Sequence, residues 1–91
     1  MLHGRGGSPH DMLMLAKSLG AANVAFFAPQ AANSTWYPNR FIAPLASNEP
    51  WLTSALAAVG QVMGQIIAAG LAMSNTMLLG FSQGACLALE Y

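Results

Sequence analysis

The sequence has few charged residues and almost no cysteine. Only 7% of its 91 residues are charged, three basic and three acidic, whereas about 25% is usual for a soluble domain. Without a basic patch to neutralise phosphates, we expect no nucleic-acid binding. Cys86 is the single cysteine, which rules out an intrachain disulfide and agrees with the cytoplasmic location we predict. The first residues also lack the pattern of a secretory signal.

Apolar residues dominate the composition, at 55% of the chain. A chain of this size buries a smaller fraction of its surface than a large domain does. So apolar a composition is typical of segments that are covered by protein on both sides. We therefore expect a fragment, truncated at both ends, that forms the N-terminal and central part of a single domain over residues 1–91.

Residues 51–73 contain no charged side chain, and this run is long enough to cross a membrane. Polar residues such as Thr53 and Gln61 interrupt it, and no lysine or arginine flanks it to set an orientation. A helix that covers a sheet explains the same run. We predict no membrane span, and the span remains the weaker alternative.

The hydrophobic pattern alternates between short apolar runs and helical periodicity. Ser8, Pro9 and Asp11 are typical of a helix start, Gly20 of its end, and Asn48 of the next helix cap. The first expected strand ends near residue 3, and the other two cover residues 24–28 and 76–79. A helix is expected after each strand. This strand-helix-strand-helix-strand-helix order predicts an α/β fold with a parallel sheet core.

The strongest motif is Gly-Phe-Ser-Gln-Gly at residues 80–84, a G-x-S-x-G pattern. In a nucleophile elbow, the serine sits at a tight turn between a strand and a helix, and its hydroxyl projects outward. Flanking side chains would clash with the neighbouring strand and helix, which explains the two glycines. Ser82 is therefore the candidate nucleophile.

A second motif, His-Gly-Arg-Gly-Gly at residues 3–7, follows the first expected strand. Ester hydrolysis passes through an oxyanion that backbone N–H groups stabilise, and glycines let the backbone approach it closely. We predict that the N–H groups of Arg5 and Gln83 form this oxyanion hole.

At residues 2–7, 28–30, 36–37 and 78–85 the sequence resembles the phospholipase/carboxylesterase family, the bacterial relatives of acyl-protein thioesterases. The resemblance implies a partial α/β-hydrolase fold and a serine hydrolase of small-molecule esters or thioesters that needs no metal or organic cofactor. It also implies that Ser82 is the nucleophile, that Arg5 and Gln83 are the oxyanion donors, and that Trp36 lines the substrate pocket. Plain loop packing is the alternative for Trp36. Tyr37 and Phe41 would make such a pocket aromatic.

The departure from that family lies after the serine. The triad order in this superfamily is Ser, then Asp or Glu, then His, but residues 83–91 contain no histidine. We expect His3 to be structural and His10 to face solvent, so neither replaces the missing base. The chain alone should then be inactive. The alternative function is a non-catalytic fragment or binding module that retains the hydrolase sheet.

Overall fold

The structure is a computed structural model that describes residues 1–40 and 42–91. Three α-helices form in this part of the chain: α1 (Pro9–Leu19), α2 (Trp51–Ala68) and α3 (Gln83–Glu90). Three short 3₁₀ turns lie between them, at Ala32–Ser34, Leu45–Asn48 and Met73–Asn75. Phe41, which we expected in an aromatic pocket, lies outside the described residues.

The predicted parallel sheet core is wrong. The described residues form no strand, and their one isolated bridge is a parallel pair between Leu2 and Gly80. The Leu2 N–H donates to the Leu79 carbonyl at 2.8 Å, and the Phe81 N–H donates to the Leu2 carbonyl at 3.0 Å. A sheet needs successive pairs of this kind. Here only residues 1 and 2 lie between the two apolar runs that we expected to be strands, so the pairing stops after one bridge.

Helix α1 begins and ends as the sequence predicts. Ser8 Oγ accepts the Asp11 N–H at 3.2 Å, and Asp11 Oδ2 accepts the Ser8 N–H at 3.1 Å, which is the expected capping box. Gly20 ends the helix with φ of 63° and donates its N–H to the Lys17 carbonyl. Glycine adopts this left-handed conformation without steric cost.

The predicted cap of α2 is wrong. The helix begins at Trp51, and Asn48 is buried in the preceding loop, where its Oδ1 accepts the Asn39 N–H at 2.7 Å. Glu49 takes over part of the capping role, because its Oε2 accepts the Thr53 N–H at 3.2 Å. The asparagine side chain therefore satisfies the loop instead of the helix.

One face of α2 carries most of the hydrophobic core. Val59 is 1% exposed, and it shares the core with Leu2, which is 1% exposed, and with Leu87 of α3, which is fully buried. Full burial of such a side chain contributes about 1.5–3 kcal/mol. The other members of the core are Ala31, Trp36, Tyr37, Leu52, Ala55, Met63 and Ile66. This shared core holds the N-terminal segment, α2 and α3 together.

By length and composition, α2 could also cross a membrane. Its mean hydropathy is 1.3 over 18 residues, and it is the one helix of the described residues that meets these criteria. Core helices of soluble proteins meet them as well, and the face that includes Val59 and Met63 is buried. The absence of a membrane span stays a prediction.

Candidate active site

Ser82 lies at a sharp corner directly after the Leu2–Gly80 bridge and directly before α3. Its φ of 54° and ψ of −115° fall in a region that costs a non-glycine residue of order 1–3 kcal/mol. The side chain is exposed, and its hydroxyl has no hydrogen-bond partner among the described residues. The corner thus presents an unengaged hydroxyl at the surface.

The glycines at both ends of the elbow allow this corner to close. A Cβ on Gly80 would overlap the Gly84 carbonyl group, and a Cβ on Gly84 would overlap the Leu2 carbonyl oxygen. The same Cβ on Gly84 would lie 2.6 Å from the His3 oxygen. These backbones are therefore in direct contact, which confirms the steric reason for two glycines in the motif.

The glycine-rich loop lies against the elbow. A Cβ built on Gly4 would be 3.3 Å from Ser82 Cβ and 3.2 Å from the Phe81 carbonyl oxygen. The Arg5 guanidinium anchors the loop on its other side by donating to the Pro38 carbonyl at 2.9 Å. The structure therefore brings together the two motifs that are far apart in the sequence.

Two N–H groups, one directly after Ser82 and one directly after Gly4 in the glycine-rich loop, are free to bind an acceptor. Neither the Arg5 N–H nor the Gln83 N–H has an acceptor in residues 1–40 and 42–91, whereas the next amide along the chain is engaged in each case. The Gly6 N–H donates to the Ser34 carbonyl at 2.7 Å, and the Gly84 N–H donates to the Phe81 carbonyl at 3.0 Å. This pattern suits the predicted oxyanion donors, whose role stays a prediction.

The Gln83 side chain holds the elbow to the loop at Trp36 and Tyr37. Its Oε1 accepts the Trp36 N–H at 2.9 Å, and its Nε2 donates to the Tyr37 carbonyl at 2.8 Å. The side chain is buried, so both bonds are shielded from water. The motif had suggested a role only for the backbone of this residue, and nothing else in the sequence signals the side-chain contacts.

Trp36 packs behind the site. Its indole is 4% exposed, stacks on the His3 ring with the centroids 4.9 Å apart, and donates from Nε1 to the His3 carbonyl at 2.8 Å. These contacts are those of a packing residue that supports the glycine-rich loop. The predicted contact between Trp36 and a substrate stays a prediction.

Both ring nitrogens of His3 are occupied. Nε2 accepts the Ala31 N–H at 3.0 Å, which assigns the ring proton to Nδ1, and Nδ1 lies 2.7 Å from the Gly4 carbonyl oxygen. The ring is buried. His3 therefore has the expected structural role and offers no lone pair to the Ser82 hydroxyl. His10, the other histidine, is exposed on α1.

Tyr37 and Cys86 line a small cavity of about 160 Å³ under α3. Burial raises the pKa of the Tyr37 phenol, and the neighbouring Cys86 thiol adds to the effect. Tyr37 therefore stays neutral at physiological pH. Glu90 also lines this cavity but is exposed.

Comparison with known proteins agrees with the two motifs. A family model described as Phospholipase/Carboxylesterase matches residues 1–91. The chain is also similar to the crystal structure of a phospholipase/carboxylesterase from Dyadobacter fermentans DSM 18053, with 52% sequence identity and a TM-score of 0.96. The match covers 100% of this chain and 44% of the solved chain, so this chain spans less than half of that protein. No curated protein matches it.

We expect Gly84→Ala to destabilise the fold. The added methyl group would overlap the Leu2 carbonyl, and overpacking of this kind costs about 1–3 kcal/mol or more. Gly64→Ala is the matched control, because Gly64 is exposed on α2 with nothing within 4 Å of the new methyl. This control should gain about 0.5–1 kcal/mol. Urea denaturation followed by far-UV circular dichroism measures both changes, and equal stabilities would contradict the close contact.

We expect Gln83→Leu to destabilise the protein as well, since it leaves the Trp36 N–H and the Tyr37 carbonyl without their partners. Each unsatisfied buried group costs about 1–3 kcal/mol. The control is Gln61→Leu on the exposed side of α2, which should change stability by less than about 0.5 kcal/mol. A loss of stability in Gln83→Leu no larger than that in Gln61→Leu would contradict the stabilising role of the two Gln83 side-chain hydrogen bonds.

Proposed function

The chain belongs to the phospholipase/carboxylesterase family, and from this premise we propose that it carries the nucleophile and the oxyanion donors of a serine carboxylic-ester hydrolase. Family membership supports a hydrolase in general, without specifying the serine mechanism. The observation that carries the finer proposal is the exposed Ser82 hydroxyl, which projects at a strained corner against the glycine-rich loop. Strained backbone conformations of this kind cluster at active sites.

The proposed reaction begins when Ser82 Oγ attacks the acyl carbonyl carbon of the substrate. The hydroxyl proton passes to a base, and the carbonyl electron pair moves onto oxygen. Collapse of this tetrahedral species breaks the bond to the alcohol or thiol, which leaves with a proton and gives an acyl-serine ester. Water then attacks the acyl-enzyme in the same way, releasing the carboxylic acid and restoring the Ser82 hydroxyl.

The N–H groups of Arg5 and Gln83 are the proposed donors to the oxyanion. Two features support this role. Gln83 directly follows Ser82 and Arg5 directly follows Gly4, whose backbone contacts the corner, and neither N–H has an acceptor in the described part of the chain. Gln83 is also the first residue of α3, so the positive end of that helix dipole adds to the stabilisation. Loss of one such donor typically costs about 3–4 kcal/mol in the transition state.

The base is the component that this chain does not supply. His3 is buried and engaged at both nitrogens, and His10 is exposed on α1. A serine hydroxyl is a weak nucleophile without an adjacent base. We therefore propose that the Asp and His of the triad belong to sequence outside these residues and that the 91-residue chain by itself has no esterase activity.

The proposed substrate is a small ester or thioester, and no metal or organic cofactor takes part in the steps above. Trp36 remains the proposed substrate-binding residue. A cytoplasmic location is part of the same proposal. The chain spans 44% of the solved relative, so an activity of the whole protein is part of this proposal.

A non-catalytic module is the second candidate. The observation that favours it is the engagement of both His3 ring nitrogens, which removes the nearest imidazole from catalysis. Under this alternative, Ser82 would be structurally strained but chemically ordinary. The two candidates differ in whether the Ser82 hydroxyl reacts once a base is supplied.

Chemical labelling tests the proposal. We expect a fluorophosphonate to label Ser82 slowly in the chain alone and at least tenfold faster when imidazole is added, because free imidazole can replace the missing base. Intact mass and peptide mapping measure the labelled position directly. Ester turnover is a poorer readout, since imidazole hydrolyses activated esters without protein.

Two substitutions serve as controls for the labelling. Ser82→Ala should abolish the imidazole-dependent label, and Ser54→Ala, at an exposed serine of α2, should leave it unchanged. Label that persists in Ser82→Ala, or that spreads equally over several serines, would favour the non-catalytic module.

A further inference from the structure

Arg5 and Gln83, the residues of the two proposed oxyanion donors, both bind the same short segment with their side chains. We refer to residues 36–39 as the spacer segment. The Gln83 amide bonds to its first two residues, Trp36 and Tyr37, through two buried hydrogen bonds, and the Arg5 guanidinium bonds to its last two. Each of the two motifs thus contributes one side chain to the same four residues.

The Arg5 guanidinium binds two consecutive carbonyl groups of the spacer segment. Its Nη1 donates to the Pro38 carbonyl at 2.9 Å, and its Nη2 donates to the Asn39 carbonyl at 3.2 Å. A planar guanidinium holds its donors in a rigid fork, so two acceptors fix its orientation as well as its position. A lysine ammonium on its flexible stem would not reproduce this geometry. The contact therefore depends on arginine and not only on positive charge.

The spacer segment is itself held at both ends. At its start, Trp36 is buried, and its Nε1 donates to the His3 carbonyl at 2.8 Å. At its end, the Asn39 N–H donates to Asn48 Oδ1 at 2.7 Å. Pro38 lies between these two contacts, where its ring fixes the backbone angle φ. The segment is therefore a constrained length of backbone that connects the two side chains.

Tertiary contacts must set the spacing of the two donor N–H groups, because Arg5 and Gln83 are far apart in the sequence. Both N–H groups have to lie about 2.7–3.1 Å from one oxyanion to stabilise it. The Leu2–Gly80 bridge makes one connection between the two motifs, through the backbone. The spacer segment makes a second connection, from the Arg5 side chain to the Gln83 side chain.

We propose that Arg5 is also a positioning residue, whose side chain acts through the spacer segment to set the distance between its own N–H and the N–H of Gln83. This inference rests on the proposed oxyanion role of the two N–H groups. The glycines beside Arg5 allow many backbone angles, so an unanchored loop would also sample orientations that turn this N–H away. The two carbonyl bonds restrict that motion before the substrate binds, which is the preorganisation that stabilises an oxyanion.

Labelling kinetics of the 91-residue chain test this role, with a fluorophosphonate as the probe and imidazole as the base. The phosphonyl oxygen gains negative charge as Ser82 attacks, so the rate at saturating reagent reports the oxyanion donors. Arg5→Met removes the guanidinium and keeps the backbone N–H. We expect this rate to fall at least tenfold, while the reagent concentration for half-maximal rate stays unchanged. Arg5→Lys should give an intermediate rate, because it can donate to one carbonyl.

Pro38→Gly tests the spacer segment without changing Arg5 or Ser82. Pro38 is exposed, and glycine in its place frees the backbone angle φ. We expect the saturating rate to fall at least threefold. Adding Pro38→Gly to Arg5→Met should lower the rate little further, because both changes act on the same connection. A double variant whose loss equals the product of the two single losses would contradict a shared connection.

Arg40→Met is the matched control. Arg40 is exposed and directly follows the spacer segment, so the change removes an arginine from the same loop and keeps both carbonyl bonds of Arg5. Its saturating rate should equal that of the unchanged chain. Urea denaturation of every variant gives the second readout: a merely structural role of Arg5 would lower stability and leave the labelling rate of the folded chain unchanged.

Three results would overturn the inference. One is an equal saturating rate in Arg5→Met and in the unchanged chain, with the label on Ser82, which would leave the proposed function standing. Another is a change confined to the half-saturating concentration, which would make Arg5 a residue that binds the reagent. The third is the absence of imidazole-dependent label on Ser82 in the unchanged chain, which would refute the proposed function and the inference together.

Discussion

Contact between the Leu2 backbone and the backbone around Gly80 is the constraint on which the site depends. The Leu2 N–H and carbonyl bond to Leu79 and Phe81, and the same carbonyl lies against Gly84 at the start of α3. Leu2 is also 1% exposed in the core against α2. One residue therefore sets the position of the loop that follows it and of the corner that carries Ser82, so the two motifs have a fixed separation.

Polar contacts extend this constraint to the loop at Trp36 and Tyr37. The Gln83 amide bonds to both residues of that loop, and the Trp36 indole bonds to His3 and stacks on it. His3 in turn accepts the Ala31 N–H. These buried bonds run from the elbow through the loop and back to the N-terminal segment. These contacts hold the backbone around Ser82 in place, although the proposed reaction needs a base that these residues do not provide.

Local features of the fold could be predicted from the sequence, and features that need a distant partner could not. The cap at Ser8 and the glycine contacts of the elbow depend on neighbours in the chain or on sterics that any protein obeys, and both were confirmed. The sheet was wrong because pairing needs backbone alongside, and residues 1 and 2 supply one bridge. Asn48 was misjudged because the Asn39 N–H, nine residues away in the chain, competes with the helix for its side chain. Family membership, by contrast, followed from the motifs and was confirmed.

The position of Gln83 has a consequence for engineering. Its side chain ties down the Trp36 loop, while its main-chain N–H is the proposed donor to the substrate. Saturation mutagenesis at this codon would alter both properties at once, so a drop in turnover among such mutants could not be attributed to either alone. An ester-linked backbone at this position, introduced by chemical ligation, would delete the donor while preserving the side chain, and so separates the two contributions.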